Sequence, residues 1–220
     1  MQEIDLLDRY PRSNRNIKAR AEWLSASPEN RAIAKKFGKE YFDGTRDQGY
    51  GGYRYDGRWI PVVQRFIEHY GLTPSSSFLD VGCGKGFFLH DLAALLPGIT
   101  VAGIDVSEYA IENSMTDVKP FLKVANAVSL PYPDKSFDTV VAINTLHNLK
   151  RDDCKRALEE MMRVSRGKAY VQVDSFRNAE EKENLDRWQL TAELIYSPEE
   201  WRELFAEAGY AGDYYWTIIA

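Results

Sequence analysis

From Ser77 onward, short apolar segments alternate with helical patterns, and this alternation constrains the fold more than any other feature of the sequence. Repeats of this kind build a parallel sheet with helices on both faces. Strands are predicted at 78–81, 100–104, 121–124, 139–143, 169–173 and 214–219. Several are apolar on both sides, as strands covered by helices are. Helices are predicted at 87–96, 108–118, 151–166 and 198–208. The last is the best delimited: Ser197 is an N-cap, Pro198 suits the first helical position, Glu200 completes a capping box and Gly209 supplies the stop. The expected class is α/β, a doubly wound, mostly parallel sheet.

The first sixty residues read differently. A helix is expected from Ser27-Pro28 towards Gly38, followed by a segment rich in glycine and tyrosine, Tyr50-Gly51-Gly52-Tyr53-Arg54-Tyr55, and a helix from Trp59 to Tyr70. A chain of 220 residues favours one core with an attachment. The expected division is an N-terminal cap or lid at 1–58 and a core at 59–220. Between 41 and 59, tyrosines at 41, 50, 53 and 55 are interleaved with glycines at 44, 49, 51, 52 and 57. That composition suits a flap that excludes water; a fixed loop that buries its rings is the alternative.

The most informative stretch is Phe78-Leu79-Asp80-Val81-Gly82-Cys83-Gly84-Lys85-Gly86-Phe87, where a strand enters a helix through alternating glycines. The dinucleotide fingerprint needs its third glycine at 87, where this chain has Phe87. Asp80, two residues before the first glycine, would repel a pyrophosphate and attract a ligand carrying a cationic amino group. Asp105 ends the second strand 25 residues later, where an acidic side chain accepts the hydroxyls of an adenosine ribose.

Asp80-Val81-Gly82-Cys83-Gly84-Lys85-Gly86, followed by Gly103-Ile104-Asp105-Val106-Ser107, resembles the class I S-adenosylmethionine-dependent methyltransferases. The segment from Ala125 to Asp138 is similar to the stretch after that family's third strand, and the resemblance runs from about 75 to 219. It implies a Rossmann-like fold, S-adenosyl-L-methionine as cofactor and S-adenosyl-L-homocysteine as product. It also implies that Asp80, Gly82, Cys83 and Gly84 line the methionine portion, that Asp105 holds the ribose and that Val106 flanks the adenine. Asn126 stands where the family usually has an acidic residue facing the adenine amino group, and its amide oxygen retains the acceptor without the charge. Ala127 offers a backbone amide beside it. The family usually follows its last helix with two strands, and one is visible here, so a six-stranded sheet is expected whose edge is covered or paired in a dimer.

Ligands of such sheets bind at the carboxyl ends of the strands. The fourth strand ends in Asn144-Thr145-Leu146-His147, which makes Asn144 a candidate for both cofactor and acceptor contacts. His147 is the only histidine at a strand's end and is the candidate general base; a helix-capping or solvated histidine is the alternative. Tyr50, Tyr53, Tyr55 and Asp174 are candidates for the acceptor. Thr145 and Leu146 replace the prolines of the Asn-Pro-Pro-Tyr motif found in amino-methylating nucleic-acid enzymes, which argues against base methylation. A metal is not implied, because no cluster of histidine and aspartate follows a strand.

Net charge is −5, which disfavours a long nucleic-acid track. It conceals an asymmetry of +3 over residues 1–60 and −8 over the rest. Arg12, Arg15, Arg46, Arg54 and Arg58 could therefore meet a small anionic acceptor. Two cysteines, Cys83 and Cys154, are too few for a disulfide framework. The acidic start lacks the pattern of a signal peptide, and no apolar run approaches bilayer length. The expectation is a cytoplasmic enzyme without a membrane anchor, monomer or homodimer, acting on a hydroxyl or amine of a small metabolite such as a sugar or an anionic compound. The alternatives are an RNA or protein methyltransferase and a non-catalytic binder of S-adenosylmethionine.

Overall fold

The computed structural model describes residues 1–11 and 27–219. Arg12 and Arg15 lie outside the described residues. Six strands, β1 (Ser77–Val81), β2 (Thr100–Asp105), β3 (Leu122–Val124), β4 (Phe137–Ile143), β5 (Ser165–Ser175) and β6 (Asp213–Ile218), form one sheet in the order β3-β2-β1-β4-β5-β6. Every strand pair is parallel. The order reverses direction between β1 and β4, so a crevice opens there at the strands' carboxyl ends.

Alternation along the strands gives each face its own core. Phe78, Val141 and Tyr170 pack towards α3 (Ile60–Tyr70) and α4 (Phe87–Leu95). Leu79, Val140 and Val171 pack towards α6 (Arg151–Val164) and α8 (Pro198–Glu207). The expected capping box of α8 is formed: Ser197 Oγ accepts from Glu200 N at 3.3 Å, and Glu200 Oε2 accepts from Ser197 N at 2.8 Å.

Several expected elements are corrected. The helix expected at 108–118 is α5, Glu108–Glu112. It stops because Asn113 and Ser114 turn back to the carbonyls of Tyr109 and Ile111, at 2.8 and 2.7 Å, in competition with the helical backbone. The helix opened by Ser27 is α1 (Pro28–Ala34); Phe37 takes a positive φ of 49°, and a second short helix, α2 (Lys39–Asp43), follows Gly38. The helix α7 (Ala179–Trp188) had not been expected, although Asn178 accepts from Glu181 N at 2.9 Å in an ordinary N-cap.

The outer edge of β6 is covered at its start by the chain's own first residues. Glu3 bridges Tyr214 in parallel, with Ile4 N donating to Tyr214 O at 2.9 Å and Tyr214 N donating to Gln2 O at 3.0 Å. Leu6 behind this strap is 0 % exposed. Leu6→Ala is therefore expected to lower unfolding stability by ~2–4 kcal/mol in a urea titration; an unchanged midpoint would show that the strap does not dock.

Candidate active site

Loop geometry at the end of β1 is fixed by glycine. Gly82 has φ of +86°, and a Cβ there would lie 2.2 Å from Thr145 Oγ1 at the end of β4. Gly84, at φ +54°, keeps its backbone amide free to donate to Asp105 Oδ2 at 2.8 Å, while Asp105 Oδ1 accepts from Ser107 N at 2.8 Å. The two carboxylates expected to serve the cofactor thus meet at one place. Burial pushes Asp80 up to about 7, and the charge of Asp105 adds to this. Burial also raises Asp105, opposed by the amides of Ser107, Gly84 and Val106. A buried carboxylate raised in this way favours a ligand that brings positive charge, as the ammonium and sulfonium of S-adenosylmethionine do. The site fits that cofactor.

A cavity of about 930 Å³ opens over this loop. Asp80, Gly82, Cys83, Gly84, Asp105, Val106, Asn126, Ala127, Asn144, Tyr50 and Tyr53 all line it, so most of the expected site residues share one space. Asn144 holds a positive φ of 53°, a conformation asparagine tolerates better than most residues. Its side-chain oxygen accepts from Thr217 Oγ1 at 3.0 Å. Asn126 Oδ1 accepts from Val128 N at 3.1 Å, so one lone pair of the oxygen expected to face adenine is engaged locally.

Three expected acceptor residues do not line the cavity. His147 is 3 % exposed and sits behind the wall, its Nδ1 accepting from Asp174 N at 3.2 Å and its Nε2 lying 3.7 Å from Asp174 Oδ2. The short turn Leu146–Asn148 folds its ring inward onto β5, away from the residues that line the cavity. Asp174 is buried with it and raised by burial, which the His147 charge partly opposes. Tyr55 points away, donating to Asp91 Oδ1 at 2.5 Å and packing edge-on against His90.

The tyrosine and glycine segment lies over the loop. Tyr53 stacks on Phe87 with ring centroids 4.7 Å apart, and Tyr50 meets Tyr53 at 4.4 Å. Burial pushes Tyr41 up to about 12; Tyr50 is raised well above its ordinary value by the neighbouring Tyr41 and by burial. Lys85 Nζ donates to Asp43 Oδ2 at 2.6 Å and to Tyr53 O at 3.0 Å, pinning the segment to the glycine loop. Tyr109 Oη also donates to Asp43, at 2.8 Å, and Ser107 Oγ donates to Phe37 O at 2.5 Å. No local signal marks these partners, which lie 32 to 70 residues apart. Lys85→Met is expected to free this cover at a cost of ~1–3 kcal/mol and to speed proteolysis between 44 and 57 several-fold. Cleavage at the wild-type rate would show that the ion pair does not hold it. Among the described residues, no cluster of three or more metal-ligating side chains is found.

A parallel sheet of this order, with an acidic residue and glycine loop after β1 and a second acid ending β2, defines a class I S-adenosylmethionine-dependent methyltransferase. Residues 79–172 match the methyltransferase domain family. It is 33% identical over 66% of its length to tRNA (carboxymethyluridine(34)-5-O)-methyltransferase of Arabidopsis thaliana, and covers 34% of that protein. It is 32% identical over 68% of its length to O-methyltransferase resE of Aspergillus sclerotiorum, and covers 61% of it. The crystal structure of the [4+2]-cyclase SpnF is similar with a TM-score of 0.57 and 26% identity, over 68% of this chain and 57% of that one. The chain spans less than two thirds of the length of each of these relatives.

Proposed function

We propose that the protein transfers a methyl group from S-adenosyl-L-methionine to a hydroxyl or amine of a small molecule. The observation that carries this reading is the shared cavity: its volume of about 930 Å³ lies at the upper end of small-molecule sites, with room for cofactor and acceptor together. Aromatic residues of the N-terminal segment, Tyr41, Tyr50 and Tyr53 among them, form part of its wall, which suits a small acceptor better than a nucleic-acid strand or a protein surface. The name of the Arabidopsis relative keeps RNA as the second reading, and the SpnF cyclase is a reminder that this fold also hosts other chemistry.

Within this reading Asp80 meets the cofactor's ammonium, with Gly82, Cys83 and Gly84 beside its methionine portion. Asp105 accepts from the ribose, Val106 flanks the adenine, and Asn126 and the amide of Ala127 meet its edge. When bound, the cofactor supplies the electrophilic methyl group. Asn144 stands at the end of β4 between cofactor and acceptor, and Tyr50 and Tyr53 cover both and exclude water. Alignment and dehydration are what a single displacement needs most.

No helix among the described residues is long and apolar enough to cross a membrane. Both cysteines are free and buried, which agrees with a cytoplasmic setting, and the covered start of the β6 edge supports a monomer over an edge-paired dimer. The test is to supply tritiated S-adenosylmethionine with metabolite, RNA and protein fractions in parallel. Label is expected in the small-molecule fraction; label confined to RNA or protein would overturn the reading.

A further inference from the structure

The cavity is also lined by residues that take no part in the cofactor reading. Leu7 and Tyr10 of the N-terminal strap, Trp59, Gln172 on β5 and Tyr215 and Thr217 on β6 are among them. Tyr10 and Trp59 meet edge to face with centroids 5.0 Å apart. Such a wall receives a flat ring through offset and edge contacts.

Its polar groups form one oriented chain. Tyr170 Oη donates to Gln172 Oε1 at 3.0 Å, Gln172 Nε2 donates to Thr217 Oγ1 at 2.9 Å, and Thr217 Oγ1 donates to Asn144 Oδ1 at 3.0 Å. Amides and a hydroxyl so engaged orient a ligand but do not take its proton. Among the described residues no histidine lines the cavity, and its charged groups are Lys35, Lys36, Arg177, Asp80 and Asp105. Lys35 is paired with Glu193 and Arg177 with Glu181. Both oxygens of Asp105 already accept backbone amides, and Asp80 belongs to the glycine loop. Among the described residues an alcohol or sugar hydroxyl would find no base here, whereas an aromatic hydroxyl ionises near pH 10 unaided and lower beside a cation such as the cofactor's sulfonium.

We infer that the acceptor is a planar aromatic compound bearing a hydroxyl, held between Tyr10, Trp59 and Tyr215 and methylated as its oxyanion without an enzymic base. The inference rests on the methyl-transfer reading above. The hydroxyl's proton leaves to solvent before transfer. The acceptor oxygen then forms the new O–CH₃ bond with a lone pair as the S–CH₃ bond breaks, and the electrons of that bond remain on sulfur, which becomes a neutral thioether.

The experiment titrates 4-nitrophenol into the full chain loaded with sinefungin, whose added ammonium stands where S-adenosylmethionine carries its sulfonium, one pH unit below the free probe's midpoint, and follows phenolate absorbance. Saturable binding is expected with the bound phenolate-to-phenol ratio raised at least tenfold, with no competition from 1-hexanol or methyl glucoside. Trp59→Ala is expected to weaken the probe at least tenfold while S-adenosylhomocysteine binding, read by calorimetry, persists. With tritiated S-adenosylmethionine, transfer to a graded series of phenols should have a pH midpoint that moves with each phenol. A protein that binds S-adenosylhomocysteine yet ignores the probe, binds it protonated, methylates the alcohols, or shows one midpoint for every phenol would overturn the inference alone. Failure to bind S-adenosylhomocysteine would overturn the methyl-transfer reading as well.

Discussion

Replacing Asp80 by asparagine is expected to make the free protein more stable and to abolish its cofactor binding. Asp80 is 5 % exposed, and burial together with the charge of Asp105 raises its carboxyl to about 7. Holding it ionised at neutral pH costs the fold on the order of 4 kcal/mol relative to an unperturbed carboxyl, as an upper bound. The neutral amide removes that cost, so a rise in Tm of roughly 3–8 °C is expected for the ligand-free variant. The amide has no charge for a cationic ligand, and S-adenosylhomocysteine affinity should fall at least 100-fold. The sign of the pH dependence follows. A raised carboxyl takes up a proton on folding, so its contribution to stability is fully present below the ordinary value of 3.8 and is lost progressively as pH rises from there through its folded value of about 7. Cofactor binding runs the other way: between pH 7.5 and 5.5 affinity should fall roughly tenfold or more as Asp80 protonates in the free protein. The asparagine variant should lack both trends.

Gly82→Ala should damage both fold and site. The added Cβ would stand 2.2 Å from Thr145 Oγ1 and 2.5 Å from Thr145 Cγ2, in a backbone with φ of +86°. Thr145 is not free to yield, because its Oγ1 donates to Ile143 O at 3.1 Å and it adjoins the strained Asn144. The strain and the clash together are expected to cost ~2–4 kcal/mol, seen as a Tm lower by roughly 5–12 °C. Relief by shifting β1 away from β4 would also move Asp80 and Asn144 apart, so S-adenosylhomocysteine binding should weaken at least tenfold. A variant with wild-type Tm and affinity would contradict the close approach of these loops.

The parallel sheet was legible because β-branched runs such as Thr139-Val140-Val141 carry their own period, and the glycine loop was legible because turn and ligand approach both demand glycine at fixed places. Asp80 and Asp105 were found for the same reason: each sits at a strand end that local pattern defines. The length of α5 was missed because Asn113 and Ser114 satisfy their backbone through side chains, which outweighs the apolar spacing. Lys85 and Asp43 were invisible because their contact spans 42 residues and leaves no local trace. His147 shows where local pattern stops, since a place at a strand's end does not fix where the ring points. Its inward turn depends on the Asp174 amide, 27 residues away on β5.

The central claim is that Asp80, the glycine loop and Asp105 form a site for S-adenosylmethionine. Calorimetric titration of S-adenosylhomocysteine into the full chain at pH 7, in two buffers of different ionisation enthalpy, tests it most directly. The account predicts one saturable site, release of a fraction of a proton as Asp80 ionises, and no binding by the Asp80→Asn variant. Absence of binding, or equal affinity in the variant, would contradict it.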